Sequence, residues 1–108
     1  MIRITVWRVA DGRYGRLRVE GHANAGQYGE DVVCAGVSAL VETLALAWQH
    51  TAAHAGSVRI EMGSADFRLT DGSQAEEAIA MRVIVEGLED LAKTHARYVR
   101  WQEQRASD

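Results

Sequence analysis

The sequence contains no proline and only one cysteine in its 108 residues. Without proline, the chain lacks the usual markers of rigid linkers, and its length suits one domain. A single cysteine cannot form an internal disulfide, which excludes a disulfide-stabilised secreted domain. These absences favour one domain over residues 1–108, held together by an apolar core.

A long uninterrupted hydrophobic run is also missing. Arg3 and Arg8 interrupt the N-terminal segment, so it lacks the continuous apolar stretch of a signal peptide. The most apolar uncharged run extends from Val32 to Val41, whereas a membrane-spanning helix needs about 20 apolar residues. We therefore expect a soluble, cytoplasmic protein without a membrane partner.

The charge balance and the missing motifs exclude further classes. The chain has 12 basic and 15 acidic residues, a net charge of −3 with histidine neutral. Nucleic-acid modules usually carry the opposite sign, so we expect no direct contact with nucleic acid. The sequence contains no GxGxxG or Walker-type phosphate loop and no GxSxG elbow.

Alternating apolar and polar residues predict four strands in two hairpins, with turns at Asp11-Gly12 and Gly63-Ser64. Apolar residues at three- and four-residue spacing predict two helices. The first begins after Asp31 as its N-cap and runs to about Ala53. The second begins at a Ser73–Glu76 capping box and continues through Tyr98.

The predicted order ββαββα indicates an α+β domain. A four-stranded antiparallel sheet with both helices on one face would bury the apolar stripe of each helix. A swapped or edge-paired dimer is the alternative arrangement that the same pattern allows.

The segment from Gly21 to Ser38 contains the residues that could take part in catalysis. It begins as a glycine-rich stretch that we interpret as a mobile loop, with His22 at a strand end. Cys34 is predicted in the first helical turn, where unpaired amides and the helix dipole stabilise a thiolate. An imidazole beside it can shuttle a proton, and first-turn amides can stabilise an oxyanion. These are the parts of a cysteine hydrolase, although a buried structural cysteine and a structural histidine explain the same residues.

The motif Gly21-His22-Ala23, followed by Gly29-x-Asp31-Val32-Val33-Cys34-Ala35 and Ser38, resembles the signature of the Prp family. Members of this family are bacterial ribosomal-processing cysteine proteases with a similar small α+β fold. The specific motif covers only the segment from Gly21 to Ser38. Gly36 departs from it, because an alanine is expected there.

The resemblance implies a role for each matching residue. His22 and Cys34 would form the catalytic dyad. Two glycines would be hinges of a loop that orders over substrate, and two polar residues would support the site. The hinges would be Gly21 and Gly29, and the supporting residues Asp31 and Ser38.

The resemblance also implies a substrate and an oligomeric state. The substrate would be an N-terminal extension of the twenty-seventh protein of the large ribosomal subunit, whose removal ribosome assembly requires. The protein would be a homodimer and would need no cofactor.

Two further interpretations stay open. The domain could bind a ribosomal protein or peptide without cleaving it, with Cys34 merely buried. His50 and His54 lie one helical turn apart, a spacing known from zinc sites, but no HExxH pattern accompanies them.

Overall fold

A computed structural model describes residues 1–21, 28–50, 56–69 and 75–105, and of residues 28–31 and 75 the backbone only. The described residues form five strands and two helices. In chain order these are β1 (Ile2–Arg8), β2 (Tyr14–Glu20), α1 (Tyr28–Gln49), β3 (Gly56–Glu61), β4 (Ser64–Leu69), α2 (Ala75–Thr94) and β5 (Val99–Arg105).

The strands form one mixed sheet in the order β3-β4-β2-β1-β5. Strands β3, β4, β2 and β1 pair antiparallel, whereas β5 runs parallel to β1 with Val99 opposite Ile2. The prediction of a four-stranded antiparallel sheet in the order ββαββα is therefore wrong, because a fifth strand follows the second helix.

The fifth strand occupies a segment whose pattern predicts the end of a helix. Helix α2 ends at Thr94, and the amides of Tyr98 and Val99 donate to the carbonyl of His95 at 2.8 and 3.1 Å. No glycine or proline marks this helix end. In β5 only Val99 is buried, so the alternation is too short to predict a strand.

A single apolar core lies between the sheet and the two helices. Trp48 of α1 packs edge-on against Phe67 of β4, with the ring centroids 5.5 Å apart. The buried side chains alternate along β1, β2 and β4 with exposed or half-buried ones, so one sheet face is apolar. The core includes Ile2, Ile4, Val6, Leu17, Val19, Val33, Val37, Val41, Leu44, Trp48, Phe67, Met81, Val85, Leu88 and Val99.

The two helices contact each other through a reciprocal pair of leucines and glycines. A Cβ placed on Gly36 of α1 would lie 3.5 Å from Leu91 of α2, and one on Gly87 of α2 would lie 3.3 Å from Leu40 of α1. Each leucine therefore packs over a glycine of the other helix, which lets the helices approach closely next to Cys34.

Two details of α2 depart from a simple amphipathic pattern. Ile79 and Val83 are exposed although they are large and apolar, while Glu77 is buried. The indole Nε1 of Trp48 donates to the Glu77 carbonyl at 3.3 Å, which connects the first turn of α2 to the core.

The helix α1 has the length and hydropathy of a membrane span over Val32–Gln49. A core helix of a globular domain passes the same test, and α1 has a buried face that packs against the sheet. Its apolar character follows from that packing, since the residues that contact the core recur at helical spacing.

Candidate active site

Cys34 lies deeper in helix α1 than its sequence context predicts. The helix begins at Tyr28, so Cys34 is its seventh residue and not part of the first turn. Asp31 lies inside the helix, and its prediction as the N-cap is wrong. Because unpaired amides and the dipole effect are confined to the first turn, neither acts on Cys34 as expected.

The Cys34 side chain is 7% exposed and belongs to the apolar core. Ser38 follows it four residues later, on the same face of α1, and is half-buried. The structure thus brings together two of the residues predicted for the site.

Gly21 fixes the end of β2 at the point where the chain enters His22. Its φ of 83° is in the left-handed region, and a Cβ at this position would lie 2.5 Å from the Met1 carbonyl oxygen. The Gly21 amide also donates to the Gly63 carbonyl at 2.7 Å. This position therefore requires glycine both for its backbone conformation and for the close approach of Met1.

A series of contacts through α2 and β5 indicates that Gly21 and Cys34 lie at the same end of the sheet. The turn of α1 after Cys34 contains Gly36, which faces Leu91 near the end of α2. From there the chain continues into β5, whose first residue is opposite Ile2 at the start of β1. Gly21 contacts Met1, the residue before Ile2, so this series of neighbours relates Gly21 to Cys34 at one end of the sheet.

The remaining predicted residues are located only in part. His22 lies outside the described residues, so its distance from Cys34 stays a prediction. Gly29 is the second residue of α1, and its role as a hinge likewise stays a prediction. The anchoring role of Gly63 was not foreseeable, because only its place in a turn can be read from the sequence.

A metal centre finds no support in the part of the chain that the structure describes. Within it, no group of three or more His, Cys, Asp or Glu side chains could hold a metal ion. His50 is exposed just after α1, and His54 lies outside the described residues, so the proposed zinc pair is not tested.

The model of the family described as "Cysteine protease Prp" matches residues 1–100, a range that includes both His22 and Cys34. No curated protein matches the chain. The family match is therefore the comparison that bears on activity.

Solved structures share the fold. SMU.848 from Streptococcus mutans is 25% identical with a TM-score of 0.85, covering 98% of this chain and 96% of that chain. The essential ribosomal processing protease Prp from S. aureus, in complex with a substrate peptide, is 21% identical with a TM-score of 0.86 over 96% of this chain and 100% of that chain. The same protease with a covalently linked product peptide is 22% identical with a TM-score of 0.83 and equal coverage.

Proposed function

The chain belongs to the Prp family of cysteine proteases, and from this premise we propose that Cys34 and His22 are its catalytic dyad. The observation that carries the assignment is that Cys34 is the only cysteine in the sequence. A cysteine protease with one cysteine has a single candidate for its nucleophile. The position of Cys34 at the same end of the sheet as Gly21, the residue before His22, supports the pairing.

The reaction is acyl transfer in two steps. His22 accepts the thiol proton, the Cys34 Sγ attacks the peptide carbonyl carbon, and the C–N bond breaks as His22 protonates the leaving amine. Water then attacks the thioester carbonyl with His22 as base, which breaks the S–C bond and releases the acid and the thiol. With Cys34 in the second helical turn, the imidazole has to activate the thiol without the first-turn dipole.

The proposed substrate is the N-terminal extension of the twenty-seventh large-subunit ribosomal protein. Support comes from the family and from the S. aureus relative, whose structures contain a substrate peptide and a covalently linked product peptide. Gly21 and Gly29 bracket the segment that would close over the peptide, and Asp31 and Ser38 would support the site. Such a reaction belongs in the cytoplasm, where ribosomes assemble.

The test is cleavage of the host's precursor ribosomal protein, followed by intact-mass spectrometry. The wild type should remove the extension, while Cys34→Ala should remove none and keep its circular dichroism spectrum. Ser38→Ala is a matched control on the same helix face, and it should slow cleavage without abolishing it. Undiminished cleavage by Cys34→Ala contradicts the nucleophile assignment, and binding without cleavage by the wild type indicates a binding module.

We also propose that the protein is a homodimer. Strand β3 is at the sheet edge, and a lone edge strand is open to pairing with another chain. Large apolar side chains are exposed on or next to this strand and on α1, namely Leu46, Val58, Ile60 and Met62. Sedimentation equilibrium should give the dimer mass, and Ile60→Asp should shift it toward the monomer. A monomeric wild type would contradict the proposal.

A further inference from the structure

The sheet face turned away from the helices is rich in arginine. Six of the chain's 12 basic residues lie on it, in register across the five strands. They are Arg3, Arg16, Arg18, Arg59, Arg68 and Arg100. Three acidic residues, Glu20, Glu61 and Asp66, share this face, so its net charge is +3 while the whole chain carries −3.

Part of this positive charge is compensated within the sheet. Arg16 donates from Nε and Nη2 to the two carboxylate oxygens of Asp66 at 3.0 and 2.7 Å, and its guanidinium lies 4.2 Å from the Trp7 ring centroid. Burial would raise the pKa of Asp66, but the hydrogen bonds and charge of Arg16 hold it below its ordinary value. Arg18 pairs with Glu20 at 2.8 Å.

Three other arginines of this face are exposed and differ from Arg16 in their surroundings. Arg3, Arg59 and Arg100 make no ion pair with another described residue. Arg3 and Arg100 are direct partners on the adjacent strands β1 and β5, where like charges oppose each other. Arg3 also lies opposite Glu20, and Arg59 opposite Asp66, but these carboxylates pair with Arg18 and Arg16. The like charges of Arg3 and Arg100 repel each other, and an anion bound from outside the fold would relieve that repulsion.

We propose that this outer face binds RNA, with Arg3, Arg59 and Arg100 contacting the phosphates. The planar guanidinium matches phosphate oxygens in a bidentate way, and a polyanionic strand can satisfy three separated arginines at once. The rest of the chain is acidic and would repel the strand, which confines binding to this face.

The sequence-based expectation of no nucleic-acid contact rests on the net charge of the whole chain. That sum hides a positively charged face when the rest of the surface is negatively charged. The register of the strands separates these surfaces, because residues of one parity face the core and the others face outward. The proposal goes beyond the protease function and does not rest on it.

The test is fluorescence anisotropy with a labelled single-stranded RNA of mixed sequence, using the full chain. Three phosphate contacts predict a slope of about −2 for log affinity against log salt, measured from about 50 to 200 mM salt. The triple variant R3E/R59E/R100E should bind at least about tenfold more weakly and lose this slope.

The matched control reverses three charges away from the outer face, on α2 and in the turn after it. R82E/K93E/R97E has the same net charge as the first variant and should retain wild-type affinity and slope, with both variants keeping the wild-type circular dichroism spectrum. An equal loss in the two variants, or no binding by the wild type at low salt, would overturn the proposal. Equally tight binding of poly-glutamate would overturn the assignment to RNA in favour of an acidic protein.

Discussion

The two ends of the β1–β2 hairpin each contain a glycine with a positive φ, in very different surroundings. At the tip, Gly12 has a φ of 90°, and no described atom beyond Gly12 and its two chain neighbours lies within 4 Å of the position that a Cβ would take. At the open end, Gly21 has a φ of 83°, and a Cβ would lie 2.5 Å from the Met1 carbonyl oxygen. The same left-handed backbone conformation therefore occurs in an open turn at Gly12 and beside a close main-chain contact at Gly21.

The contacts around the two glycines also differ between the tip and the open end. At the tip, exposed side chains form the bonds: Arg8 donates to the Tyr14 hydroxyl at 2.6 Å, and Arg13 to the Asp11 carboxylate at 2.7 Å. At the open end the contacts are main-chain ones: the Gly21 amide donates to the Gly63 carbonyl at 2.7 Å, and Gly21 packs against Met1. Main-chain contacts thus hold Gly21, the residue directly before His22, which is the proposed base.

The largest expected loss of stability tests the difference between the two ends of the hairpin. Gly21→Ala should lower the free energy of unfolding by about 3 kcal/mol or more, because the left-handed conformation and the displacement of Met1 both add cost. Gly12→Ala is the matched control and should lose about 1 kcal/mol from conformation alone. Urea denaturation monitored by circular dichroism measures both. Equal losses in the two variants would contradict the proposed difference between the ends.

The hairpin and the first helix could be predicted from local patterns. Alternation over Ile2 to Val6 and the Asp11-Gly12 turn are short-range signals, and the structure has a strand and a turn there. Strand β5 could not be predicted, because its pairing with β1 depends on residues far apart in the chain. Only Val99 in it is fully buried, so the sequence shows almost no period there.

Parts of the candidate site could likewise be predicted from local sequence, and other parts could not. The motif predicts Cys34 and Gly21 as residues of the site, but the helix start at Tyr28 removes the first-turn environment that the sequence predicts for the thiol. The contact between Gly21 and Met1 is tertiary and has no local signal. The arginine face was hidden because its members come from five strands, and only the sheet register places them together.

The next largest effect concerns an ion pair in the middle of the sheet, between the two ends. The side chains of Arg16 and Asp66 are only 24% and 17% exposed, so Asp66→Asn should cost about 1–2 kcal/mol at neutral pH. Because the folded-state pKa of Asp66 is lowered, its contribution is full above the unfolded-state value and is lost as the pH falls below about 4. Denaturation at several pH values should show the variant and wild type converging in acid. A constant difference down to low pH would contradict this assignment.

A smaller change of opposite sign is expected where the helices meet at the open end. A Cβ on Gly36 would contact Leu91 at an ordinary 3.5 Å, so Gly36→Ala should stabilise the helix by up to about 1 kcal/mol. Gly87→Ala is the comparison, since its Cβ would approach Leu40 at a tighter 3.3 Å and should gain less. The thermal midpoint of each variant measures the effect. A clear loss of stability in Gly36→Ala would show closer packing beside Cys34 than the distances indicate.

The smallest effect is expected at the hairpin tip, where Arg8 Nε donates to Glu103 at 2.6 Å. The two side chains are 43% and 41% exposed, so solvent screens the pair despite its short distance. A double-mutant cycle of Arg8→Gln and Glu103→Gln should give a coupling of no more than about 0.5 kcal/mol. The cycle is needed because Arg8 also donates to the Gly12 carbonyl and the Tyr14 hydroxyl, and its single replacement removes those bonds as well. A coupling energy as large as the loss in Asp66→Asn would contradict this expectation. Side-chain contacts at the tip would then stabilise the fold as much as the ion pair in the middle of the sheet, and the two ends of the hairpin would differ only in the packing around their glycines.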